Sequence, residues 1–223
     1  MFAQEWFISP LLLTLKVAFA TLLLHSTLGV FLAVVISGQK RFYKTAIDIF
    51  ISLPIVFPPI AVGFFLLLLL GKQGLIGSAL AAYNIEIIFS TGGVILAAFI
   101  AGLPLVVKPI ESALSEQEKL YAEAAYCMGK SRFETLIFAL LPNIPKAICA
   151  ALFLGLGRSF GEIGITLMLG GNIIGETDTL GLAIYNGAMT GETDKAIVLS
   201  AALGVFSLLI FIVLKRLSYG KDQ

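Results

Sequence analysis

Residues Leu11 to Ser37 read LLLTLKVAFATLLLHSTLGVFLAVVIS, apolar throughout except for Lys16, His25 and a few hydroxyl side chains. A hydrocarbon layer about 30 Å thick needs roughly 20 apolar residues per helical crossing, so this run is long enough to span it. Inside lipid an isolated strand or irregular chain would leave backbone groups unpaired, and nothing here alternates as a barrel strand must. The run is therefore a helix. Working outward, four further apolar segments stand at Ile47–Gly71, Phe89–Ile110, Ile144–Leu169 and Ala196–Leu214. The expected fold is an all-α polytopic membrane bundle of about five transmembrane helices, in a single domain over residues 1–223.

Composition agrees. Of 223 residues 58% are hydrophobic and 13% charged, where soluble domains carry about a quarter charged residues. Mean hydropathy is +0.98. The segment before Leu11 holds Glu5 and no cation, and no A-x-A-type site follows the run. It therefore reads as a retained first helix rather than a secretory signal. A net charge of +1 gives no basic field for nucleic acid. Cys127 and Cys149 form no C-x-x-C or metal-ligand pattern and read as free thiols; no metal site is expected.

Cations set the expected orientation. Lys40, Arg41 and Lys44 follow the first run, Lys108, Lys119, Lys130, Arg132 and Lys146 surround the third connection, and Lys215, Arg216 and Lys221 form the tail. The opposite side carries Lys72 and Lys195. This bias places the N-terminus outside and the C-terminus in the cytoplasm of a multi-pass protein of the cell (inner or plasma) membrane. Pro54, Pro58 and Pro59 interrupt the second run, which should be bent or broken, and Pro104 and Pro109 lie in the third. Gly157-x-x-x-Gly161 in the fourth would let another backbone approach closely, or be generic packing glycines.

The polar stretch of about 111–142 is too long and too charged for a plain connection. Ser115-x-x-Glu118 and Ser131-x-x-Glu134 both fit a capping box, so two short helices are expected, separated near Gly129. Tyr121, Ala124, Ala125 and Met128 recur at i, i+3, i+4 and i+7, giving the first of them an apolar, small-residue face outside the membrane. Such a face suits a protein partner.

Glu123-Ala124-Ala125, three residues, Gly129, eleven residues, then Leu141-Pro142 resembles the EAA signature of ABC importer permeases. The resemblance implies a cytoplasmic coupling helix in which Glu123, Ala124, Ala125 and Gly129 dock on a separate ATPase, while Leu141 and Pro142 return the chain to the membrane. Ala139 departs from the β-branched residue usual two positions before that Leu-Pro pair. Ser52-Leu53-Pro54, then Pro58-Pro59 and Gly63, is similar to the S-L-P-x-x-x-P-P-x-x-x-G run of molybdate-type permeases. Gly161-Glu162-Ile163-Gly164, Gly171-Asn172-Ile173 and Thr179-Leu180 look like other elements of that group. The resemblance covers about residues 10–215 and implies an importer for molybdate or tungstate, with sulfate permeases sharing part of the pattern. It implies two copies around a shared path, an external binding protein, and ATP and Mg bound by the partner ATPase, with no cofactor or catalytic residue on this chain. Candidate path or gate residues are Pro54, Pro58, Pro59, Gly63, Arg158, Glu162 and Asn172.

Gly129-Lys130-Ser131 copies the end of a phosphate-binding loop, but Ala124 stands at the first glycine position and no strand precedes it. His25 reads as a proton relay or, more economically, as a neutral hydrogen-bonded interior side chain, and Lys16 as a snorkelling residue. Arg158 and Glu162 stand i, i+4, where each can neutralise the other; a site beside the path and a structural tie are both open. In the outer loop of about 170–195, Gly-Glu-Thr-Asp occurs at 175–178 and again at 191–194. Thr177 or Asp178, and Thr193 or Asp194, are expected to cap the helices that follow. Residues 180–185 are too short to span the membrane and suit a re-entrant or interfacial segment. Glu176, Asp178, Glu192 and Asp194 would repel a free oxyanion, so this loop is expected to receive a carrier protein. An ATP-independent channel or transporter would have no need of the structured 123–142 segment, and a membrane enzyme lacks a catalytic cluster.

Overall fold

Proline chemistry organises the bundle. The computed structural model describes residues 2–37 and 41–219, so Lys40 and Lys221 lie outside the described residues, as do the side chains of Glu5, Arg41, Arg132 and Lys215. Among the described residues every regular element is helical. The first crossing is α1 (Phe2–Leu24), one π-type turn (His25–Gly29) and α2 (Val30–Ser37). The second run divides into α3 (Arg41–Val56) and α4 (Pro59–Leu70), which meet at 119°. Pro58 has φ −55° and ψ 130°, because Pro59 excludes the helical conformation from the residue before it. The expected break is therefore present. A short α5 (Leu75–Ala81) follows.

The third run differs from expectation. It is one 37-residue helix, α6 (Thr91–Cys127), capped by Ser90, whose hydroxyl accepts from Gly93 N at 3.3 Å. Ser115 and Glu118 therefore lie inside a continuous helix, and Ser115 caps nothing. The helix passes through Pro104 and Pro109 without ending. Each proline removes the donor to the carbonyl four residues before it, Ile100 for Pro104 and Leu105 for Pro109, while two nearby carbonyls of the same helix take bonds from side chains outside it. Ser159 Oγ donates to Ala98 O at 2.6 Å, and His25 Nε2 lies 3.0 Å from Phe99 O. A carbonyl can only accept, so a neutral His25 carries its proton on Nε2. That fits the hydrogen-bonded interior reading, and His25 is fully buried.

After Cys127 come α7 (Arg132–Thr135), a π turn (Leu136–Leu140), a 3₁₀ turn (Leu141–Asn143) and α8 (Pro145–Phe160), with a 75° bend before α8. The fourth run is not one helix either, since α8 ends at Phe160 and α9 (Gly164–Gly170) begins only after Glu162 and Ile163. Then come α10 (Leu180–Met189) and α11 (Thr193–Tyr219). Three described helices are long and apolar enough to cross a membrane, or up to five if each bent pair counts as one.

Helix α6 is the hub, packing along α8, α2, α9 and α1. Ala33, Ile36, Val106, Ile110, Leu114 and Ala151 form the main core, and Ala97, Ala101, Ile165 and Leu169 a second. The close crossing is Gly102 against Gly155, where an added Cβ on Gly102 would meet Gly155 O and His25 Cε1, both at 2.5 Å. Gly157 and Gly161, the expected contact pair, have nothing within 4 Å of an added Cβ. Their spacing is right for a crossing, but α8 is rotated so that Gly155 meets α6.

Candidate functional site: the coupling segment and the helix breaks

The last turns of α6 leave the core. Ala122 and Ala125 are buried, whereas Leu120, Tyr121, Glu123, Ala124 and Met128 are exposed, Met128 at 73%. Ala125 thus packs toward the bundle, and the face shared by Tyr121, Ala124, Ala125 and Met128 is divided between interior and surface. A docking contact at this end would use Ala124, Tyr121 and Met128. The helix closes at Met128, and Gly129 turns the chain with φ +76°, a left-handed conformation that suits glycine. Lys130 N donates to Ala125 O at 3.1 Å and Gly129 N to Tyr126 O at 2.9 Å.

The next helix begins with the expected capping box. Ser131 N donates to Glu134 Oε2 at 2.8 Å and Glu134 N donates to Ser131 Oγ at 3.3 Å. Leu141 and Pro142 sit in the 3₁₀ turn at the 75° bend, where Asn143 Nδ2 donates to Ala139 O at 2.7 Å. Phe133 and Phe138, on the segment that follows Gly129, are likewise exposed, at 70% and 74%.

Two breaks pack on each other deeper in the bundle. After the first, Pro59 and Ile60 abut Gly164, the first residue of α9; an added Cβ there would lie 2.8 Å from Ile60 N. One turn further along α4, Gly63 is buried against Ile165 Cα and Met168 Cβ, each 2.9 Å from an added Cβ. At the second break Arg158 Nη1 lies 2.6 Å from Glu162 Oε2, so the i, i+4 pair is formed, although the helix does not continue between its members. Glu162 Oε1 accepts from Ile165 N at 2.7 Å, so one carboxylate both neutralises Arg158 and caps α9. Its side chain is 1% exposed against 29% for Arg158. Pro54 is buried in α3.

Asn172, with φ +54°, exchanges amide hydrogen bonds with Asn186 of α10 at 2.8 and 3.0 Å. That pair fixes the loop to α10 and does not bring Asn172 to Glu162. The cap of α10 is Thr179, accepting from Leu182 N at 3.4 Å, and not Thr177 or Asp178. Thr177 instead accepts from Ile173 N and donates to Gly170 O, while Asp178 Oδ1 accepts from Gly175 N at 2.8 Å. Thr193 and Asp194 lie within the first turn of α11. Asp178 is 5% exposed, and its carboxylate closes the loop on the Gly175 amide. Burial pushes its carboxyl above the usual aspartate range, against the pull of the Gly175 amide. Glu176, Glu192 and Asp194 remain exposed, with Glu192 paired to Lys195 at 2.7 Å.

Sequence reasoning missed one cluster. Lys44 Nζ lies 2.6 Å from Glu111 Oε1, and Lys108 Nζ 2.7 Å from Asp48 Oδ1, joining α3 to α6. Their sequence signal is that Lys44, Ile47, Asp48 and Ile51 share one face at i, i+3, i+4 and i+7.

The family described as "binding-protein-dependent transport system inner membrane component" matches residues 25–220 of this chain. The chain belongs to that family. As an inner membrane component it is a multi-pass membrane protein whose transport depends on a binding protein, and it is a transport subunit rather than an enzyme. It is 35% identical over 219 residues to the molybdenum transport system permease protein ModB of Escherichia coli (strain K12), covering 96% of this chain and 95% of that one. It is 34% identical over 185 residues to the probable transport system permease protein NifC of Clostridium pasteurianum, covering 83% of this chain and 64% of NifC. A crystal structure of a bacterial alginate ABC transporter, in complex with an alginate pentasaccharide-bound periplasmic protein, has the same fold. Its TM-score is 0.76 at 19% identity, over 98% of this chain and 80% of that one.

Proposed function

We propose that this chain is the membrane-spanning subunit of an ATP-driven importer of molybdate or tungstate, working as a pair of identical copies. The observation that carries the substrate is the near end-to-end match to a molybdenum permease, at 35% identity over 95% of that protein. The mechanism rests on the end of α6. A buried inner face and an exposed apolar outer face, closed by the Gly129 turn, leave Tyr121, Ala124 and Met128 for a partner. The partner is an ATPase, which binds ATP and Mg and carries out phosphoryl transfer, while the permease converts its closure into helix movement. The lysine-rich end of the bundle faces the cytoplasm, and the loop bearing Glu176, Glu192 and Asp194 faces outward to a substrate-loaded binding protein. A carrier that encloses the dianion removes its repulsion by those carboxylates. The path itself runs between the two copies, near the breaks at Pro58 and Glu162.

The test is reconstitution in liposomes with the ATPase and the binding protein. ATP-dependent molybdate uptake that excess sulfate leaves unchanged is expected. Suppression by sulfate would favour a sulfate permease, the other tetrahedral dianion importer, and uptake without ATP would favour a channel or ATP-independent transporter. Ala124→Trp should prevent recovery of the ATPase with the permease without preventing insertion.

A further inference from the structure

We propose that Lys44, Asp48, Lys108 and Glu111 form a charge-coded register lock that makes α3 move with α6, and so carries coupling motion to the break at Pro58. The order of charges is the basis. Along α3 the sequence is cation then anion, at 44 and 48; along the antiparallel α6 it is anion at 111 facing Lys44 and cation at 108 facing Asp48. A slip of one helical turn, about 5.4 Å, would set Asp48 against Glu111 in one direction or Lys44 against Lys108 in the other. Either slip brings like charges together where Glu111 and Asp48 are only 10% and 27% exposed. Apolar packing alone lacks this property, since Ile47 and Ile51 could meet Val107 and Ile110 in more than one register.

The lock lies where it can transmit motion. From Glu111 to Glu123 the helix runs unbroken, about 18 Å at 1.5 Å per residue, so displacement of its exposed end tilts the segment that carries Lys108 and Glu111. Beyond the lock, α3 runs through Pro54 to the break, and α4 then packs through Gly63 on α9. Coupling motion entering α6 would therefore reach α9 by two routes, directly through the α6 and α9 contact and through α3, the break and α4. The four side chains are positioning residues for transport, none of them in contact with substrate. This inference rests on the ATPase-coupling reading above, and the experiment keeps the two apart.

The complex of permease, ATPase and binding protein is reconstituted, and ATP hydrolysed per molybdate imported is measured alongside ATPase recovery. Asp48→Lys should raise that ratio at least about fivefold, the lower end of what coupling between two sites is worth, with the ATPase still bound. The fourfold swap Lys44→Glu, Asp48→Lys, Lys108→Asp and Glu111→Lys reverses every charge but keeps their alternating order across the helices, and should return the ratio toward the parent value. If Asp48→Lys does not insert, the uncharged pair Asp48→Asn with Lys108→Met serves instead: Lys44 and Glu111 remain paired, but a slip no longer brings like charges together, and the ratio should rise. A parent-like ratio in Asp48→Lys, or in the uncharged pair, overturns the lock. So does a swap that stays uncoupled. Loss of ATPase recovery in Ala124→Trp alone supports the docking reading whatever the lock does, and its retention there overturns that reading separately.

Discussion

The two breaks in the bundle are held in different ways. Between α3 and α4 the backbone itself refuses to continue, because Pro58 and Pro59 remove two donors and Pro59 pushes Pro58 to ψ 130°. Between α8 and α9 no proline intervenes. There Glu162 takes the Ile165 amide and the Arg158 guanidinium on its two oxygens, and the interruption rests on one side chain. The first break is written into covalent geometry and needs no neighbour; the second depends on charge and can be undone by one substitution. Because Gly164 lies directly on Pro59 and Ile60, disturbance of the second is felt at the first.

The largest expected effect is therefore at Glu162. Glu162→Ala leaves Arg158 without its partner and Ile165 without an acceptor, in a site where the carboxylate is 1% exposed. Removing one member of a buried pair costs about 3–5 kcal/mol, so thermal unfolding in detergent should show a collapse of stability. Arg158→Ala combined with Glu162→Ala should be less damaging than Glu162→Ala, since no lone cation remains, yet worse than the parent because the cap is gone. Strictly additive losses in that cycle would show that the two side chains do not act together.

An intermediate effect is expected where the breaks touch. Gly164→Ala drives a methyl group against Ile60 N and Pro59 C, at 2.8 and 3.1 Å from the added Cβ. Backbone atoms cannot step aside as a side chain can, so overpacking should cost about 1–3 kcal/mol. Gly157→Ala, with no atom within 4 Å, should change the stability of the single chain by no more than about 0.5 kcal/mol. Equal losses at 157 and 164, measured by denaturation of the detergent-solubilised protein, would mean that the contact between the breaks is wrong.

Local features were legible in the sequence for a physical reason. The break at Pro58, the Gly129 turn, the Ser131 and Glu134 box and the Arg158 and Glu162 pair each involve partners within a few residues, where spacing alone determines geometry. The features missed depend on how helices are rotated or joined in space. Nothing in the spacing says that Gly155, and not Gly157, faces α6. The capping pattern at Ser115 was real as a pattern, but a helix already under way needs no new start. The pairs Lys44 with Glu111 and Asp48 with Lys108 join residues on different runs, and counting charges by side says nothing about which of them meet. Among the proposed site residues, Ala125 and Asp178 turned out buried because sequence shows a residue's neighbours in the chain but not the surface that covers it.

The smallest effect concerns the loop that follows the second break, and its sign is fixed by Asp178. Like Glu162, Asp178 is a buried carboxylate accepting a backbone amide, but no cation is paired with it among the described residues. Desolvation therefore prevails over the Gly175 amide and raises its folded pKa above the unfolded value. Folding then disfavours the ionised form. The resulting penalty is absent below the unfolded pKa, grows as pH rises between the unfolded and folded values, and is complete above the folded value. Acidification from neutrality should relieve it in the parent protein. Asp178→Asn keeps an oxygen for Gly175 N without the charge, so it should be at least as stable as the parent at neutral pH, with the advantage fading as pH falls. Unfolding midpoints of both proteins across that range check the sign. A variant that is less stable at neutral pH, and gains on the parent as pH falls, would mean that an unseen cation compensates Asp178 and that the contrast with Glu162 does not hold.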